Sequence, residues 1–599
     1  MNIHPPAPFK GGELVTGRSE RITGALMFAG CYLYFWYVIP YHVIFKEQIQ
    51  LFVFQSSYLL IYFSKPASLA CLIGDFLTQF FYFKSGGAVV ITFLLFIEWW
   101  LIRLSLKLIV LGKVICDTSR FSAELCSIVA LLPVMAEWIA FPRLSFSVSL
   151  SVSLILSLSV FFIHTKINRK KSFFTAIILI PVLYFVVGVS VFLFVFLAVL
   201  YHRKIGKAVV LLALSIAVPF FFRYYFLLTS KQAFLFPFPD ILHGLSLVIM
   251  AFAALLLVCF RGFIGGRQGG IGIIGELVLR VLLVIILAFI LFKTVDRKQE
   301  ALFGMITEAY YKRWDKIVDI AEKEELKTPV ATHYINLALS HQNLLGERLM
   351  DFYQPFSSGL LLSVAPTADW LSIFSSSDGY FHIGDMEMAQ HAALIGMLFS
   401  PYQRSARLVE RLVEINLAID DQQVAAKYKR MLDATLFHRV KEGRTHGLET
   451  DSFFYEVKKN RASGGFFSED VLRNATDNKG TLELLAVSYP DNQPAINYLL
   501  CFYLLNKDIP AFFKVYTTYC KGKVFPVPKV YAEALLIYFA VAQLSGKEML
   551  DYGISIDVIQ QFGDYTRLYE TAKGQLLPVQ KQYPNTYWLY YHFAVMNKE

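Results

Sequence analysis

Residues 281–300 read VLLVIILAFILFKTVDRKQE, and the character of the chain changes within this stretch. Up to Phe292 the chain consists of one apolar run after another, whereas from Glu300 onward it reads as amphipathic helix. The averages over 599 residues, 56% hydrophobic and 17% charged, therefore blend two unlike parts. Only the second part approaches the roughly 25% charged residues of a soluble domain. The sequence predicts a membrane domain over residues 1–293 and a separate helical domain after it.

Runs of about 20 mostly apolar residues predict membrane-spanning helices. We count about nine, of which the fifth and sixth share one run and form a tight hairpin around Gly188. The runs cover about 22–41, 88–109, 121–140, 144–163, 173–201, 207–222, 241–260 and 272–292. The 144–163 run alternates Ser with apolar residues, and we expect a small-residue helix that packs closely on its neighbours rather than a strand. The predicted fold class is all-α.

The basic residues set the orientation of this bundle. The formal net charge of +10 is concentrated in short clusters between apolar runs, such as HTKINRKK at 164–171. Loops rich in Lys and Arg stay on the cytoplasmic side, so the clusters predict a cytoplasmic N-terminus and argue against nucleic-acid binding. An odd number of spans then places the C-terminal domain in the periplasm of a bacterial inner membrane. If 173–201 were a single span, that domain would be cytoplasmic.

The segment 42–86 is the longest predicted outer loop, and it carries two acids between aromatic, amphipathic stretches. Glu47 follows the first span, and Asp75 lies in IGDFLTQFF. A carboxylate at the membrane surface can act as a general base toward an acceptor hydroxyl. A second carboxylate could hold a divalent cation such as Mg²⁺ or Mn²⁺. The alternative is that both acids are solvated boundary residues.

This layout resembles the GT-C superfamily of membrane glycosyltransferases over about residues 1–292. The resemblance rests on a cytoplasmic N-terminus, a first span and a long outer loop with an acid close to the span. It implies a polyprenyl-linked sugar donor, with Glu47 as the catalytic carboxylate that acts as the base. Asp75 corresponds to the second loop acid, which would bind a metal ion or position the acceptor. The chain departs from the family in having Glu47-Gln48 where an Asp-Asp or Asp-Glu pair is usual.

Other polar residues near the membrane suggest binding roles. Arg223, Tyr224 and Lys231 lie in a further outer loop, where cationic side chains suit a lipid phosphate or anchor the interface. Glu98 lacks an obvious local partner and could face a cavity, and Glu137 could join the Glu47 site. Buried charges in membrane segments are usually paired or functional.

The C-terminal part resembles tetratricopeptide repeats over about 294–440, with a looser continuation over 481–599 and a mobile insertion at 441–480. Stacked helix pairs commonly bind peptides or partner proteins. His382 and His391 are isolated in the sequence and are expected to be packing or surface residues. The seven cysteines contain no CxxC pair, although Cys501 and Cys520 could pair in an oxidising compartment.

Three functions remain open from the sequence. The leading prediction is a transferase that moves a glycan from a polyprenyl-linked donor to an extracytoplasmic acceptor, possibly a protein. The second is a non-enzymatic membrane scaffold whose repeats recruit envelope or secretion partners. The third is a transporter, which Glu98 and Glu137 would allow, although the spans show no internal repeat.

Overall fold

The computed structural model describes residues 11–111, 120–237, 245–259, 289–290, 292–365, 367–439, 474, 476–523, 526–543 and 546–595. The chain divides into two compact units. The membrane unit comprises Met1–Asp296 together with Ala434–Phe437. The C-terminal unit comprises Arg297–Asp433 and His438–Glu599. The described residues of both units form helices and no strands, in agreement with the predicted all-α class.

Thirteen helices of the membrane unit are described. They are α1 (Gly11–Leu33), α2 (Pro40–Gln48), α3 (Ser56–Ile61), α4 (Ser68–Thr78), α5 (Lys84–Leu111), α6 (Arg120–Val129), α7 (Leu131–Ala140), α8 (Val148–Thr165), α9 (Arg169–Val187), α10 (Val191–His202), α11 (Ile205–Tyr225), α12 (Ser230–Leu235) and α13 (Leu245–Cys259). By length and composition, four stretches of the described residues could cross a membrane, or five if a bent pair counts as one span. The prediction of nine spans is therefore not supported, and most of its ninth run, 272–292, lies outside the described residues.

The first predicted span is broken. The stretch Arg21–Val38 meets α2 at an angle of 73°. The break falls at Ile39, which leaves the helical region at φ −134° and ψ 44°, immediately before Pro40. The proline ring disfavours a helical conformation for the residue that precedes it, which explains the position of the bend. Pro40 then serves as the first residue of α2, where its missing N–H costs nothing.

The run Lys171–His202 is long and apolar enough to cross a membrane as a single stretch. Its two halves nevertheless double back on each other. The rings of Phe173 and His202 lie 6.4 Å apart. A straight helix rises about 1.5 Å per residue and would separate these positions by about 40 Å. The reversal occurs at Gly188, which has a φ of +67°. The contact therefore supports the predicted helical hairpin between α9 and α10.

The serine-rich run forms a helix, α8, rather than a strand. Its serines are buried where it meets the hairpin, with Ser153 donating to the Val187 carbonyl at 2.6 Å and Ser157 to the Ser190 carbonyl at 2.7 Å. α8 also packs against α4, where a Cβ atom added at Gly74 would lie only 2.5 Å from the backbone of Ser149. Small residues thus allow close helix packing around α8, as expected.

The C-terminal unit is built from short helices, several of which pair in sequence order. Trp370–Ile383 packs on Met386–Phe399, Ala406–Ala418 on Gln422–Asp433, and Asn478–Ser488 on Gln493–Leu505. The other described helices are Arg297–Tyr310, Trp314–Lys323, Pro329–His341, Leu345–Arg348, Ile509–Tyr519, Lys529–Ala542, Gly546–Asp551, Ile556–Thr571, Leu576–Gln582 and Tyr587–Phe593. Asp and Ser side chains cap many of them, for example Asp385 and Ser405.

The likeness of these pairs to tetratricopeptide repeats stays a prediction. The predicted insertion at 441–480 lies mostly outside the described residues. Cys501 and Cys520 are buried free thiols, so the pairing that the sequence left open is not present.

Candidate functional site

Glu47 lies in the short helix that follows the bend of the first span. Every residue of α2 except Tyr41 is buried, and Glu47 itself is 5% exposed. The neighbouring Lys46 ammonium donates to the carbonyls of Phe141 and, at 2.9 Å, of Phe146. The sequence placed Glu47 in a loop at the membrane surface, whereas the fold encloses it because the bend turns α2 against α5.

Asp75 lies on α4 and is half-buried. The Tyr62 hydroxyl donates to the Asp75 carboxylate at 2.7 Å, and the Tyr58 hydroxyl lies 3.2 Å from that of Tyr62. Tyr58 also bonds the Leu51 carbonyl at 2.8 Å. Burial, followed by the charge of Asp75, raises the pKa of Tyr62, so the phenol keeps its proton and acts as the donor. The result is a row of hydroxyls that ends at a carboxylate.

The walls of this row are aromatic. The Phe52 ring contacts those of Tyr58, Tyr62 and Phe76, with centroids 5.7 to 6.2 Å apart. Leu60 is 66% exposed and Ile61, Phe63 and Phe54 are also exposed. A carboxylate beside exposed apolar and aromatic groups is the arrangement expected where a protein meets the membrane interface.

The predicted phosphate-binding residues gather at the end of α11. The Arg223 guanidinium donates to the Ser230 hydroxyl at 2.5 Å and to the Tyr224 hydroxyl at 2.6 Å. It also lies 4.5 Å from the centroids of the Phe220 and Tyr224 rings. Tyr224 and Lys231 are exposed, and Lys231 follows Ser230 at the start of α12. The structure thus brings all three predicted residues into one region.

A stack of aromatic rings joins this region to the Asp75 row. Phe63, next to Tyr62, stacks on Phe185 with centroids 6.4 Å apart, and Phe185 stacks on Phe226 at 6.2 Å. Phe226 lies one turn beyond Arg223. Asp75 and Arg223 therefore lie at the same end of the membrane unit. The sequence predicted this only because the assumed order of spans assigned both residues to outer loops.

Glu47 and Asp75 lie on different helices, α2 and α4. Among the described residues, no group of three or more His, Cys, Asp or Glu side chains could hold a metal ion. The divalent cation and the role of Asp75 as its ligand remain predictions.

The structure reveals a carboxylate pair that the sequence only hinted at. Glu98 on α5 and Glu137 on α7 are fully buried, and their carboxyl groups lie next to each other. Sequence analysis singled out both residues but associated Glu137 with Glu47. Their pairing depends on how α5 and α7 cross, for which a sequence pattern contains no signal.

The C-terminal unit contains a buried ion cluster and a half-exposed ring cluster. Asp378 accepts from Arg407 and Arg411, and from the Tyr334 hydroxyl at 2.7 Å. His382, expected to be isolated, lies 3.0 Å from a ring nitrogen of His341, which in turn stacks on Trp314 with centroids 4.0 Å apart.

Comparison with known proteins adds a family but no function. No curated protein and no solved structure matches the chain. A model of a family of unknown function, DUF6057, matches residues 16–594, nearly the whole chain, and the protein therefore belongs to this family.

Proposed function

We propose that this protein is a membrane glycosyltransferase that transfers a glycan from a polyprenyl-linked donor to a hydroxyl or amide of an acceptor. The observation that carries the proposal is the hydrogen bond between Tyr62 and Asp75 within an exposed aromatic segment. It combines a proton acceptor with an apolar surface that a long-chain lipid could contact. The likeness in layout to GT-C enzymes supports the same class.

The general base in this proposal is Asp75. Glu47 was the first candidate from the sequence, but it is 5% exposed, whereas Asp75 is half-buried and can meet a substrate. Asp75 would take the proton of the acceptor as the acceptor atom bonds to the anomeric carbon. Tyr62 would hold the carboxylate in position. General base catalysis of this kind contributes about 10²- to 10⁴-fold to a rate.

Arg223 would stabilise the carrier phosphate as it leaves. Its guanidinium is oriented by Ser230 and by the ring of Tyr224, and planar guanidinium groups bind phosphate oxygens through two parallel hydrogen bonds. Lys231 would add a second positive charge in the same region. The aromatic stack from Phe63 to Phe226 supports a common site, since it places Arg223 at the end of the unit that holds Asp75.

The test is release of the polyprenyl carrier from labelled polyprenyl phosphate and diphosphate sugars by the purified full-length protein in vesicles. We expect Asp75→Asn to lower turnover about a hundredfold or more and Tyr62→Phe to lower it less. Asp319→Asn, an exposed acid of the C-terminal unit, is the matched control and should retain normal turnover. Wild-type turnover by a well-expressed Asp75→Asn variant would exclude the proposed base.

The location in a bacterial inner membrane, with a cytoplasmic N-terminus and a periplasmic C-terminal unit, also belongs to the proposal. The clusters of Lys and Arg between apolar runs support it. Fusions of alkaline phosphatase and green fluorescent protein after residue 595 distinguish the two sides, because the first is active only outside the cytoplasm and the second only inside. Fluorescence with no phosphatase activity would place the C-terminal unit in the cytoplasm and contradict the proposed orientation.

We propose that the acceptor is a protein segment bound by the C-terminal unit. The surface cluster of Trp314, His341 and His382 supports this role, because half-exposed aromatic side chains are typical anchors for peptides. If the proposal is right, Trp314→Ala raises the KM for a peptide acceptor and leaves turnover at saturation unchanged. An unchanged KM would remove this cluster from the acceptor site.

A further inference from the structure

The buried pair Glu98 and Glu137 is held among four helices. Ser151 of α8 donates to one Glu137 carboxylate oxygen at 2.5 Å, and Ser246 of α13 donates to the other at 3.1 Å. Glu98 approaches Glu137 from α5, and all four side chains are at most 2% exposed. The position is therefore closed to bulk solvent and built from residues far apart in the chain.

The two carboxylates differ in their hydrogen bonds. Glu137 accepts from two hydroxyls, whereas neither carboxylate oxygen of Glu98 has a donor among the described residues. The group next to Glu98 is the Glu137 carboxylate. An ionised carboxylate only accepts hydrogen bonds, so two of them in contact repel each other unless a positive charge lies between them.

No protein cation supplies that charge within the described part of the chain. Glu137 is the one titratable group that acts on Glu98, and Glu98 the one that acts on Glu137. The Lys46 ammonium bonds two carbonyls, and the Arg103 guanidinium lies over the Trp99 ring. The charged residues and histidines with described side chains on α5, α7 and the helices packed against them, apart from the pair, are Arg21, His42, Lys46, Glu47, Lys84, Arg103, Lys107, His164 and His202.

We propose that Glu98 and Glu137 form a proton-binding site inside the membrane unit, in which one exchangeable proton bridges the two carboxylates. The proton gives Glu98 a hydrogen bond to Glu137 and lowers the charge of the pair from −2 to −1. A proton suits the site better than a metal ion, because only two carboxylates and two hydroxyls are present and both hydroxyls already donate to Glu137. The site is independent of the proposed transfer reaction, which uses the Asp75 region.

Binding or release of this proton would change the packing of α5, α7, α8 and α13 together. Without it, two negative charges in contact remain in a medium of low polarity, which is strongly unfavourable because neither charge is compensated. The helices would then have to separate or admit water. The site thus links helix packing in the membrane unit to proton availability.

The test uses dicyclohexylcarbodiimide, an apolar reagent that attacks protonated carboxylic acids in apolar surroundings. The full-length protein in vesicles is labelled with and without Na⁺, and adducts are located by mass spectrometry of peptides. We expect an adduct on Glu98 or Glu137 whose yield is unaffected by Na⁺ and falls as the pH is raised. Protection by Na⁺ would show a metal-cation site and overturn the proposal, as would the absence of an adduct on both residues.

Two variants separate the shared proton from a general effect of burial. Glu98→Gln is isosteric and its amide donates to Glu137 in place of the proton, so the adduct should fall at least tenfold. Ser246→Ala keeps both carboxylates and should retain the adduct. Equal labelling of Glu98→Gln and wild type would overturn the proposal.

An infrared spectrum of the wild-type protein provides a check that needs no variant. We expect a protonated carboxyl C=O band that shifts on exchange into D₂O. The absence of such a band would also overturn the proposal.

Discussion

Replacement of Asp378 by Asn should strongly destabilise the C-terminal unit. Asp378 is buried, and its carboxylate binds Arg407 at 2.5 Å and Arg411 at 2.9 Å. Arg407 is also buried, and its other terminal nitrogen donates to the Ile306 carbonyl at 2.7 Å. Asn preserves the shape of the side chain but removes the charge that compensates both guanidinium groups.

The size of the effect follows from the charges. Burial alone would raise the pKa of Asp378, but Arg407 and Arg411 outweigh it and lower the pKa to about 2 from a usual value of 3.8. That difference corresponds to about 2 kcal/mol in favour of the charged form. Removing one partner of a buried ion pair costs about 3–5 kcal/mol, because the other charge stays buried. We therefore expect a loss of about 2–5 kcal/mol.

Hydrogen exchange of the full-length protein in detergent measures this loss locally. Amides of the helix Ala406–Ala418 should exchange roughly thirtyfold to a few thousandfold faster in Asp378→Asn, since about 1.4 kcal/mol corresponds to a factor of ten. Because the folded pKa is lowered, the contribution of Asp378 is complete above its unfolded pKa. It is lost as the pH falls from about 4 to about 2, and wild type and variant should converge there.

The control is the exposed ion pair of Glu322 and Arg348, whose nitrogen and oxygen lie 2.8 Å apart. Exposed ion pairs contribute about 0–1 kcal/mol to the free energy of unfolding. Glu322→Gln should therefore change amide hydrogen-exchange rates by less than about fivefold. If Asp378→Asn behaved like Glu322→Gln, the reasoning about the buried cluster would be refuted.

Two further predictions concern other positions. Burial raises the pKa of Glu533 to about 7. This effect outweighs that of the Tyr587 N–H, whose hydrogen bond to the carboxylate lowers the pKa. The folded state therefore holds this proton more tightly than the unfolded state, and the unfolding free energy should fall by about 3 kcal/mol between about pH 4.5 and 7. Glu533→Gln should remove this slope in denaturant titrations, and an unchanged slope would contradict the assignment. Gly188→Ala places a Cβ 2.3 Å from the Phe236 carbonyl oxygen at a positive φ and should cost about 1–3 kcal/mol in thermal stability. Gly206→Ala meets no atom within 4 Å and should cost nothing, so equal effects of the two would refute the steric argument.

Local patterns were sufficient to predict an all-helical membrane unit and the hairpin, but not the number of spans. Apolar runs and the basic clusters between them are properties of short segments, so they indicated membrane helices directly. Gly188 marked the reversal because a left-handed residue in an apolar run favours glycine. Pro40, which accounts for the bend in the first span, was also visible in the sequence. The run 22–41 was nevertheless interpreted as one unbroken span.

Contacts between distant residues could not be predicted in the same way. Glu98 and Glu137 meet because α5 and α7 cross at a particular level, and a shift by one turn of either helix would separate them. The hydrogen bond from Tyr62 to Asp75 likewise depends on how the segment 49–67 folds over α4. The sequence identified the acids as unusual because of their apolar surroundings, but it contained no information on their partners.

The reversal at Gly188 has a consequence for the insertion of the chain into the bilayer. Because Phe173 and His202 lie side by side, the run between them begins and ends on the same face of the membrane. At twelve residues, α10 is about 18 Å long, too short to cross the hydrocarbon core of about 30 Å as an independent segment. It would therefore enter the bilayer together with α9 as one unit. Tags placed near residues 168 and 204 should consequently be reached by the same membrane-impermeant reagent.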